Sequence, residues 1–272
     1  STDISWTHNK EKLVELVNGK EDMSGNGWYI GYPQKVFRTY VVDGLWQDTE
    51  EDKAEIAKWA ANGYKFAPGQ YKPVEQGTPD YKLTDADKVI VGTDRPDWIA
   101  GMTNTFTYKD FELSCFIYAR IGQEYFSSLR PGGSTGGQYV GYVRRVPLSD
   151  FWSPEHPNAK WPMLTSNPAA VSTTDVNQAT YVNDGSFVAM RNIALSYNVP
   201  VEFLKKFDIS RLQLYTQVLN PFMWGGKCVK NGINPDDTNG WTNVNSIGEP
   251  TGGTNNNTMM VTSFVLGCRL SF

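Results

Sequence analysis

The stretch Met259–Phe272, with the sequence MMVTSFVLGCRLSF, is the best guide to the fold. Counted backwards from Phe272, every second side chain is largely apolar, and those between are mostly small or polar and include Arg269. A period of two places the two sets on opposite faces of a β-strand. A terminal strand of a soluble protein can have this pattern, but a strand of a transmembrane β-barrel must have it, because one face meets lipid and the other a wet lumen. Whether this chain is a soluble protein or part of a barrel depends on whether the pattern recurs in other strands, joined by loops typical of a barrel.

Composition excludes two broad classes of protein. The 272 residues suffice for one or two domains. The net charge of −4 and the pI near 5.3 argue against nucleic-acid binding, which requires a basic surface. The mean hydropathy of −0.44 is low for a helical membrane protein, and no run of about 18 apolar residues predicts a transmembrane helix. A β-barrel would escape that test because half of each strand is polar, and the aromatic content of 13% suits strands.

No motif for catalysis, a metal or a cofactor is found in the sequence. The three cysteines are far apart and there are two histidines, so we expect unpaired cysteines, no metal site and no cofactor. The acidic pairs Glu50-Glu51 and Asp236-Asp237 are interpreted as solvated surface charge. The start, Ser1–Trp6, lacks the regions of a signal peptide, so we expect a cytosolic chain, a processed chain or a fragment. We therefore expect a protein that is not an enzyme.

The alternating pattern recurs along the chain. Two of its strands form a hairpin about the two-residue turn Lys109-Asp110. A change of parity in a later strand predicts a bulge near Arg191-Asn192. The predicted strands, about seven in number, are Ile4–Leu16, Gln34–Trp46, Trp98–Tyr108, Phe111–Arg120, Ser186–Val199, Arg211–Asn220 and Met259–Phe272.

The connecting segments are sorted by length between the two ends of the strands. If each strand crosses once, the short links Lys109-Asp110 and Pro200–Ser210 lie at the same end as Phe272. Long links lie at the opposite end, and this sorting is typical of outer-membrane barrels. The link Asn18–Pro33 fits poorly, because it is long and should lie at the short-turn end. The long links are Asp48–Asp97, which begins with the one predicted helix, Gln123–Gly185 and Gly225–Thr258.

An odd number of strands leaves the predicted sheet open. Single-chain bacterial barrels normally have an even number, and lipid does not tolerate open sheet edges. We therefore expect an all-β fold in which residues 1–272 are the C-terminal portion of a large transmembrane β-barrel with long extracellular loops. One edge of Phe264–Phe272 should then have no strand to pair with in these residues alone.

Several motifs carry a resemblance to a known family. The longest are DGSFVAMRNIALSYNVP, from Asp184, and ISRLQLY, from Ile209, which is followed by QVLNPF and GINPD. The shorter ones are Gly31–Pro33, Asp43–Gln47, Val89–Gly92, Phe106–Phe111 and Phe151–Pro154. Each motif is weak alone, but the ordered set resembles SusC/RagA-like TonB-dependent transporters over nearly the whole chain.

The resemblance implies a location, partners and a function. It implies a bacterial outer-membrane barrel of about 22 strands, of which this chain is the last third. The plug, the N-terminal strands and the region that contacts TonB would be absent from this chain. A SusD-like surface lipoprotein would cover the extracellular face. Such pairs import oligosaccharides or peptides, driven by the inner-membrane proton gradient.

The alternation assigns side chains to the lumen, to lipid and to the loops. Those facing the lumen could contact substrate or the plug, or could simply hydrate the wall and pair with each other. The loop tryptophans could stack on a sugar or dock the lipoprotein, or could pack within the loops. By the resemblance, Phe272 is an assembly signal, and it could also be an aromatic residue of the membrane interface. The lumen-facing candidates are Glu112, Tyr118, Arg120, Arg211, Gln213, Gln217 and Arg269; the lipid-facing ones are Phe111, Leu113, Ile193, Leu195, Leu212, Leu214, Phe264 and Leu270; the loop tryptophans are Trp152, Trp161, Trp224 and Trp241.

Two other functions remain open from the sequence. A soluble all-β cell-surface binding module, or a glycan-active domain, would also explain the strands and aromatic loops. A passive porin would explain the barrel. The outward face of the strands distinguishes a soluble module from a transporter, because only a transporter turns apolar side chains to lipid. The presence of a plug distinguishes a transporter from a passive porin. The loop aromatics and amides suit sugars and peptides equally.

Overall fold

Antiparallel strands dominate the computed structural model, which describes residues 1–127, 148–164, 176, 179–204, 209–237 and 260–272. The strands are β1 (Thr2–His8), β2 (Phe37–Thr39), β3 (Val41–Leu45), β4 (Tyr71–Val74), β5 (Val89–Gly92), β6 (Trp98–Tyr108), β7 (Phe111–Ile121), β8 (Glu124–Phe126), β9 (Val182–Asp184), β10 (Phe187–Asn198), β11 (Arg211–Gly225) and β12 (Ser263–Ser271). The α-helices are α1 (Glu50–Ala61), α2 (Val201–Leu204) and α3 (Lys227–Lys230), and short 3-10 helices span Ser24–Asn26, Asp85–Asp87, Leu148–Asp150 and Ala179–Tyr181. In the part of the chain that the model describes, no helix has the length and apolar character needed to cross a membrane.

Six strands form one sheet, in the order β1-β6-β7-β10-β11-β12. All neighbours in this sheet are antiparallel. The hairpin of β6 and β7 turns at Lys109-Asp110, where Lys109 adopts a left-handed backbone conformation with φ 51°. The register of β10 shifts between Met190 and Asn192 against both of its neighbours, which confirms the predicted bulge. The all-β fold expected from the sequence is therefore confirmed.

The prediction of a crossing strand at Gln34–Trp46 is wrong. This segment forms the short strands β2 and β3, which pair with β5 and β4 and not with the six-stranded sheet. Phe37 and Thr39 are each 3% exposed, so their alternation reflects burial among neighbouring loops. A period of two predicts a strand but does not identify the sheet to which it belongs. Because the segment does not cross, residues 9–97 form one connection at the long-loop end, and the misfit of Asn18–Pro33 disappears.

The six-stranded sheet is open at both sides. Within the described residues, β1 pairs only with β6, and β12 pairs only with β11. This confirms the expectation that one edge of Phe264–Phe272 lacks a partner strand in these residues alone. The short connections 109–110 and 199–210 lie at one end of the sheet, and the long connections 9–97, 122–186 and 226–262 lie at the other.

The described parts of the three long connections pack together, and we call them the loop assembly. The first and second connections share a core in which Trp46, Trp59, Phe66 and Tyr71 surround Val176. They also join where Phe37 packs against Phe126 and Tyr181. The third connection is held where Cys228 and Ile233 contact Tyr125. The loop assembly is therefore a folded unit with its own buried residues, interlocked from three separate parts of the sequence.

The predicted helix belongs to this unit. Its first residue is Glu50, and the hydroxyl of Thr49 caps it by accepting a hydrogen bond from the backbone N–H of Asp52 at 3.2 Å. The helix ends before Asn62-Gly63. Most of its surface is polar or alanine, but Trp59 is 3% exposed and fixes the helix to the first core.

Candidate functional site

One face of the six-stranded sheet, which we call the apolar face, carries large hydrophobic side chains that are open to solvent. Register places Leu113, Leu195, Thr216 and Leu266 in one row across four strands. Leu266 is 84% exposed, although burial of a leucine would be worth about 1.5–3 kcal/mol. Further exposed residues on this face are Ile4, Trp6, Trp98, Phe106, Tyr108, Phe111, Ile121, Leu214, Phe222, Trp224, Phe264 and Leu270.

All eight side chains that we expected to face lipid lie on the apolar face. Register pairs Phe111 with Tyr197, Ile193 with Val218, and Val218 with Phe264. Ile193 and Leu212 are half-buried, whereas the other six are exposed. A soluble monomer rarely exposes a contiguous apolar area of this extent. The apolar face therefore requires a partner of low polarity.

The opposite face, which we call the polar face, carries all seven side chains predicted to face a lumen. Two places on it bring some of these residues together. Near the loop assembly, Tyr118 and Arg120 meet residues that the sequence did not single out. Near the short turns, Arg211, Gln213 and Arg269 lie close to one another, with Glu112 and Gln217 elsewhere on the same face.

The first group is an ion-pair cluster at the loop end of the polar face. Arg191, at the bulge of β10, places its Nη2 atom 2.6 Å from Oδ2 of Asp236. Arg120 approaches the other carboxylate oxygen, with 4.0 Å between Nη1 and Oδ1. The Arg191 guanidinium also lies over the rings of Tyr118 and Phe187, at 5.4 and 5.7 Å from their centroids. Because Asp236 belongs to the third long connection, this cluster fastens the loop assembly to the sheet.

The second group is a polar ladder at the short-turn end. The amide of Gln213 donates a hydrogen bond to the Ser196 hydroxyl at 3.3 Å. Arg211 donates to the side-chain oxygen of Asn198 at 3.5 Å. Arg269 lies across the ring of Tyr215, with 5.4 Å to the centroid. These contacts favour mutual pairing along the wall over a preformed site for a ligand.

Arg191 and Tyr215 are the polar-face residues that sequence reasoning missed. The expectation that Asp236-Asp237 is solvated surface charge is wrong, because Asp236 is ion-paired with Arg191 and Asp237 is 9% exposed. The sequence did contain a signal for Arg191, because the predicted bulge at Arg191-Asn192 turns a side chain out of the regular alternation. Asp236 falls in the motif GINPD, which the resemblance included. Its contact with Arg191 spans 45 residues, and alternation within one strand carries no information about such a partner.

The loop tryptophans do not form one exposed surface. Trp152 is 9% exposed, and its Nε1 donates to the side-chain oxygen of Gln47 at 3.0 Å, so it packs inside the loop assembly. Trp161 is also buried. Trp224 lies in β11 on the apolar face and stacks with Phe222 at 5.7 Å between centroids, which corrects its assignment to a loop. The correction arises because β11 extends beyond Asn220, where the predicted strand ended. Trp241 lies outside the described residues.

Two acidic groups, the half-buried Glu124 and the exposed Asp184, lie where the sheet meets the loop assembly. Glu124 and Asp184 face each other in the ladder of β8 and β9. Burial, followed by the negative charge of Asp184, raises the pKa of Glu124 to about 7. Burial, with the same two carboxylates, raises the pKa of the Cys228 thiol to about 12. Within the described residues, no cluster of three or more His, Cys, Asp or Glu side chains could hold a metal ion.

Sequence comparison identifies relatives for most of the chain. No protein-family model matches it. Two proteins of Formosa agariphila, TonB-dependent receptor P3 and TonB-dependent receptor P26, are each 25% identical to it, over 228 and 233 residues. Each alignment covers 81% of this chain. The chain is a homologue of TonB-dependent receptors.

This receptor homologue spans 22% of the length of each of those two relatives. They are receptors and not enzymes, in agreement with the expectation from the sequence. A structure of the RagAB peptide transporter superposes on the whole chain with a TM-score of 0.62 and 15% identity, and the match covers 27% of that transporter chain. A structure of the RagAB peptide importer in an open-open state gives the same TM-score over 26% of its chain. The fold of this receptor homologue is therefore similar to that of about a quarter of the chain in the RagAB structures.

Proposed function

We propose that this receptor homologue is part of the wall and extracellular loops of an outer-membrane importer. The importer would take up oligosaccharides or peptides, use energy delivered through TonB, and work with a SusD-like surface lipoprotein. The apolar face carries this proposal. A sheet that is apolar and exposed on one side, polar on the other, and sorted into short and long connections fits a wall between lipid and an aqueous lumen.

The open edges of the sheet support a place within a larger barrel. Lipid does not tolerate unpaired backbone N–H and C=O groups. We propose that β1 and β12 pair with further strands of the same barrel, and that residues 1–272 are its C-terminal part. The plug and the TonB-contacting region would belong to the remainder, which fits the greater length of the relatives, since the aligned residues cover 22% of each.

The polar face and the loop assembly would have different tasks in this importer. The seven lumen-facing candidates, together with Arg191, would hydrate the wall and tie the loops to it. The loop assembly would present the surface on which the lipoprotein closes. Phe272, which is 87% exposed at the short-turn end, stays a predicted assembly signal.

Energised uptake is the direct test. Cells that express the complete transporter and its lipoprotein would be given fluorescent oligopeptides or fluorescent oligosaccharides larger than a porin admits. We expect accumulation of one substrate class, abolished by a protonophore and by removal of the TonB-contacting region. Uptake that is insensitive to the protonophore would instead indicate a passive porin. Failure to accumulate either class would contradict the proposal.

A further inference from the structure

A cavity of about 140 Å³ lies inside the loop assembly, away from both faces of the sheet. All three long connections contribute to its wall, so it exists only when the loop assembly is formed. Two lysines and two asparagines supply polar groups, and aromatic and aliphatic side chains supply the rest. The described wall includes Val42 from the first connection, Lys160, Trp161 and Asn183 from the second, and Lys227 and Asn231 from the third.

The charged side chains among the described lining residues of this cavity are Lys160 and Lys227, and both residues are exposed at its rim. No Asp or Glu is among its described lining residues. The ammonium group of Lys160 donates a hydrogen bond to the side-chain oxygen of Asn231 at 3.1 Å and lies over the Trp161 ring at 5.2 Å from the centroid. Within the described part of the chain, no carboxylate pairs with Lys160. An ammonium group has three N–H donors, so Lys160 retains donors for an anionic group in the cavity.

Lys227 has a different role in the same wall. It lies near Glu124 and Asp184, and its charge partly offsets theirs. The net attraction for an anion is therefore centred on Lys160, and Asn231 holds the Lys160 ammonium at the cavity. Trp161, with 7% exposure, adds a fixed aromatic surface beside this ammonium. A charged donor next to a rigid aromatic wall suits a small group that has a carboxylate and an apolar face.

We propose that this cavity binds the carboxylate-bearing terminal unit of a molecule brought to the importer. Its volume of about 140 Å³ is enough for a small terminal unit. The carboxylate could come from the C-terminus of a peptide or from a terminal uronic acid of an oligosaccharide. The proposal rests on the proposed function for the source of this ligand, and it narrows the substrates to those with an acidic end.

Matched pairs of probes test the carboxylate requirement. The complete transporter, purified in detergent, would be titrated calorimetrically with trialanine and trialanine amide, and with tri-galacturonate and its methyl ester. In each pair, the second probe lacks the negative charge. The variant Lys160→Gln removes the ammonium and keeps a side chain of similar reach. Lys230→Gln is the matched control, because Lys230 is an exposed lysine of α3 outside the described cavity wall.

We expect at least one acid probe to bind and Lys160→Gln to weaken it about tenfold, the effect of one charge-assisted hydrogen bond. Lys230→Gln should bind as the unaltered protein does, and the amide and ester should be weak in all three proteins. The acid that binds identifies the source of the carboxylate. Equal binding by unaltered protein and Lys160→Gln, or equal binding of acid and neutral probes, would overturn the proposal. Uptake by the unaltered transporter, measured in parallel, distinguishes that result from failure of the proposed function.

Discussion

At the residue scale, a few side chains join the loop assembly to the sheet. Asp236 bonds to Arg191 on the polar face. The backbone carbonyl of its neighbour Asp237 accepts a hydrogen bond from the Tyr125 hydroxyl at 2.7 Å, which ties the third connection to the second. Gly225, the last residue of β11 before the third connection, is packed too closely for any larger residue. The faces of the strands could be predicted from alternation, but these joints could not, because each depends on residues far apart in the sequence.

The Asp236–Arg191 pair should stabilise this joint measurably. Both side chains are partly shielded, with 32% and 21% exposure, so we expect a coupling of about 1 kcal/mol. Urea unfolding of Asp236→Ala, Arg191→Ala and the double variant in lipid vesicles would give this coupling from a double-mutant cycle. The exposed pair Lys53–Glu50 is the control and should couple more weakly, because solvent screens both charges. Strictly additive effects at Asp236 and Arg191 would show that the contact contributes nothing.

Gly225→Ala should be destabilising because there is no room for a methyl group. An added Cβ would lie 2.5 Å from the backbone oxygen of Ser186 and 2.6 Å from Cγ2 of Val229. Overpacking of this kind costs about 1–3 kcal/mol, which denaturant unfolding would detect. Gly25→Ala is the control, since nothing lies within 4 Å of the added atom. Equal stability of the two variants would contradict the packing described here.

Glu124 should make the loop assembly sensitive to pH. Its ordinary pKa of 4.5 is raised to about 7 in the folded protein, so the folded state holds this proton more tightly than the unfolded chain. The stabilisation is fully present below about pH 4.5 and is lost as the pH rises through 7. Hydrogen exchange of β8 and β9 should therefore quicken between pH 5 and 8, after correction for the intrinsic rate. Lys227 and Asp184 both face this group, and the charge of Lys227 opposes the effect of Asp184 on it.

Removal of the titrating group separates this effect from general loosening. In Glu124→Gln, the corrected exchange rates of β8 and β9 should become nearly independent of pH over the same interval. The exposed residue Glu51 offers a matched substitution, Glu51→Gln, which should retain the pH dependence. An unchanged profile in Glu124→Gln would assign the sensitivity to another group.

At the element scale, the strands of the large sheet were predictable and the short strands were not. In β6, β7, β10 and β11, apolar and polar side chains alternate over ten or so residues, because each strand separates two different surroundings. The segment Gln34–Trp46 alternates as well, but its apolar side chains are buried by Tyr181, Phe126 and other loop residues. Sequence alone could not supply those neighbours, so one strand too many was assigned to the wall.

An arginine on the apolar face should be far more costly than one on the polar face. Leu195, near the middle of the sheet, would place the charge in lipid, at a cost of about 2–4 kcal/mol near the midplane. Gln217, opposite Ala194 on the neighbouring strand, points to the polar face and provides the control. Urea unfolding in vesicles of Leu195→Arg and Gln217→Arg would compare the two costs. A larger loss for Gln217→Arg would reverse the assignment of the faces.

At the scale of the whole molecule, the open sheet makes these residues dependent on others. The apolar face is exposed across six strands, and both outer edges have unpaired backbone groups within the described residues. The sequence predicted this dependence from strand number, although it reached the conclusion with seven strands and the sheet has six. The conclusion that the sheet needs further strands still holds, because it depends on the open edges and not on whether the number of strands is odd or even.

Residues 1–272 produced alone in water should not form a soluble monomer. Exposed apolar faces and open edges of this extent drive association, so we expect aggregates in water and recovery only in detergent or lipid. Size-exclusion chromatography with light scattering, with and without detergent, would measure this. A monomer that melts cooperatively in plain buffer would rule out the membrane wall and favour a soluble binding module.

The interlocking of the loop assembly also sets an order of events during folding. Its cores join residues that are more than a hundred positions apart, such as Trp46 with Val176 and Tyr125 with Ile233. Contacts with such long separations form slowly, because the intervening chain must first be brought to order. The six strands provide that order by holding the bases of the three connections side by side. The loop assembly would therefore form only after the six strands have paired. An importer with a defective wall would lack its extracellular surface as well.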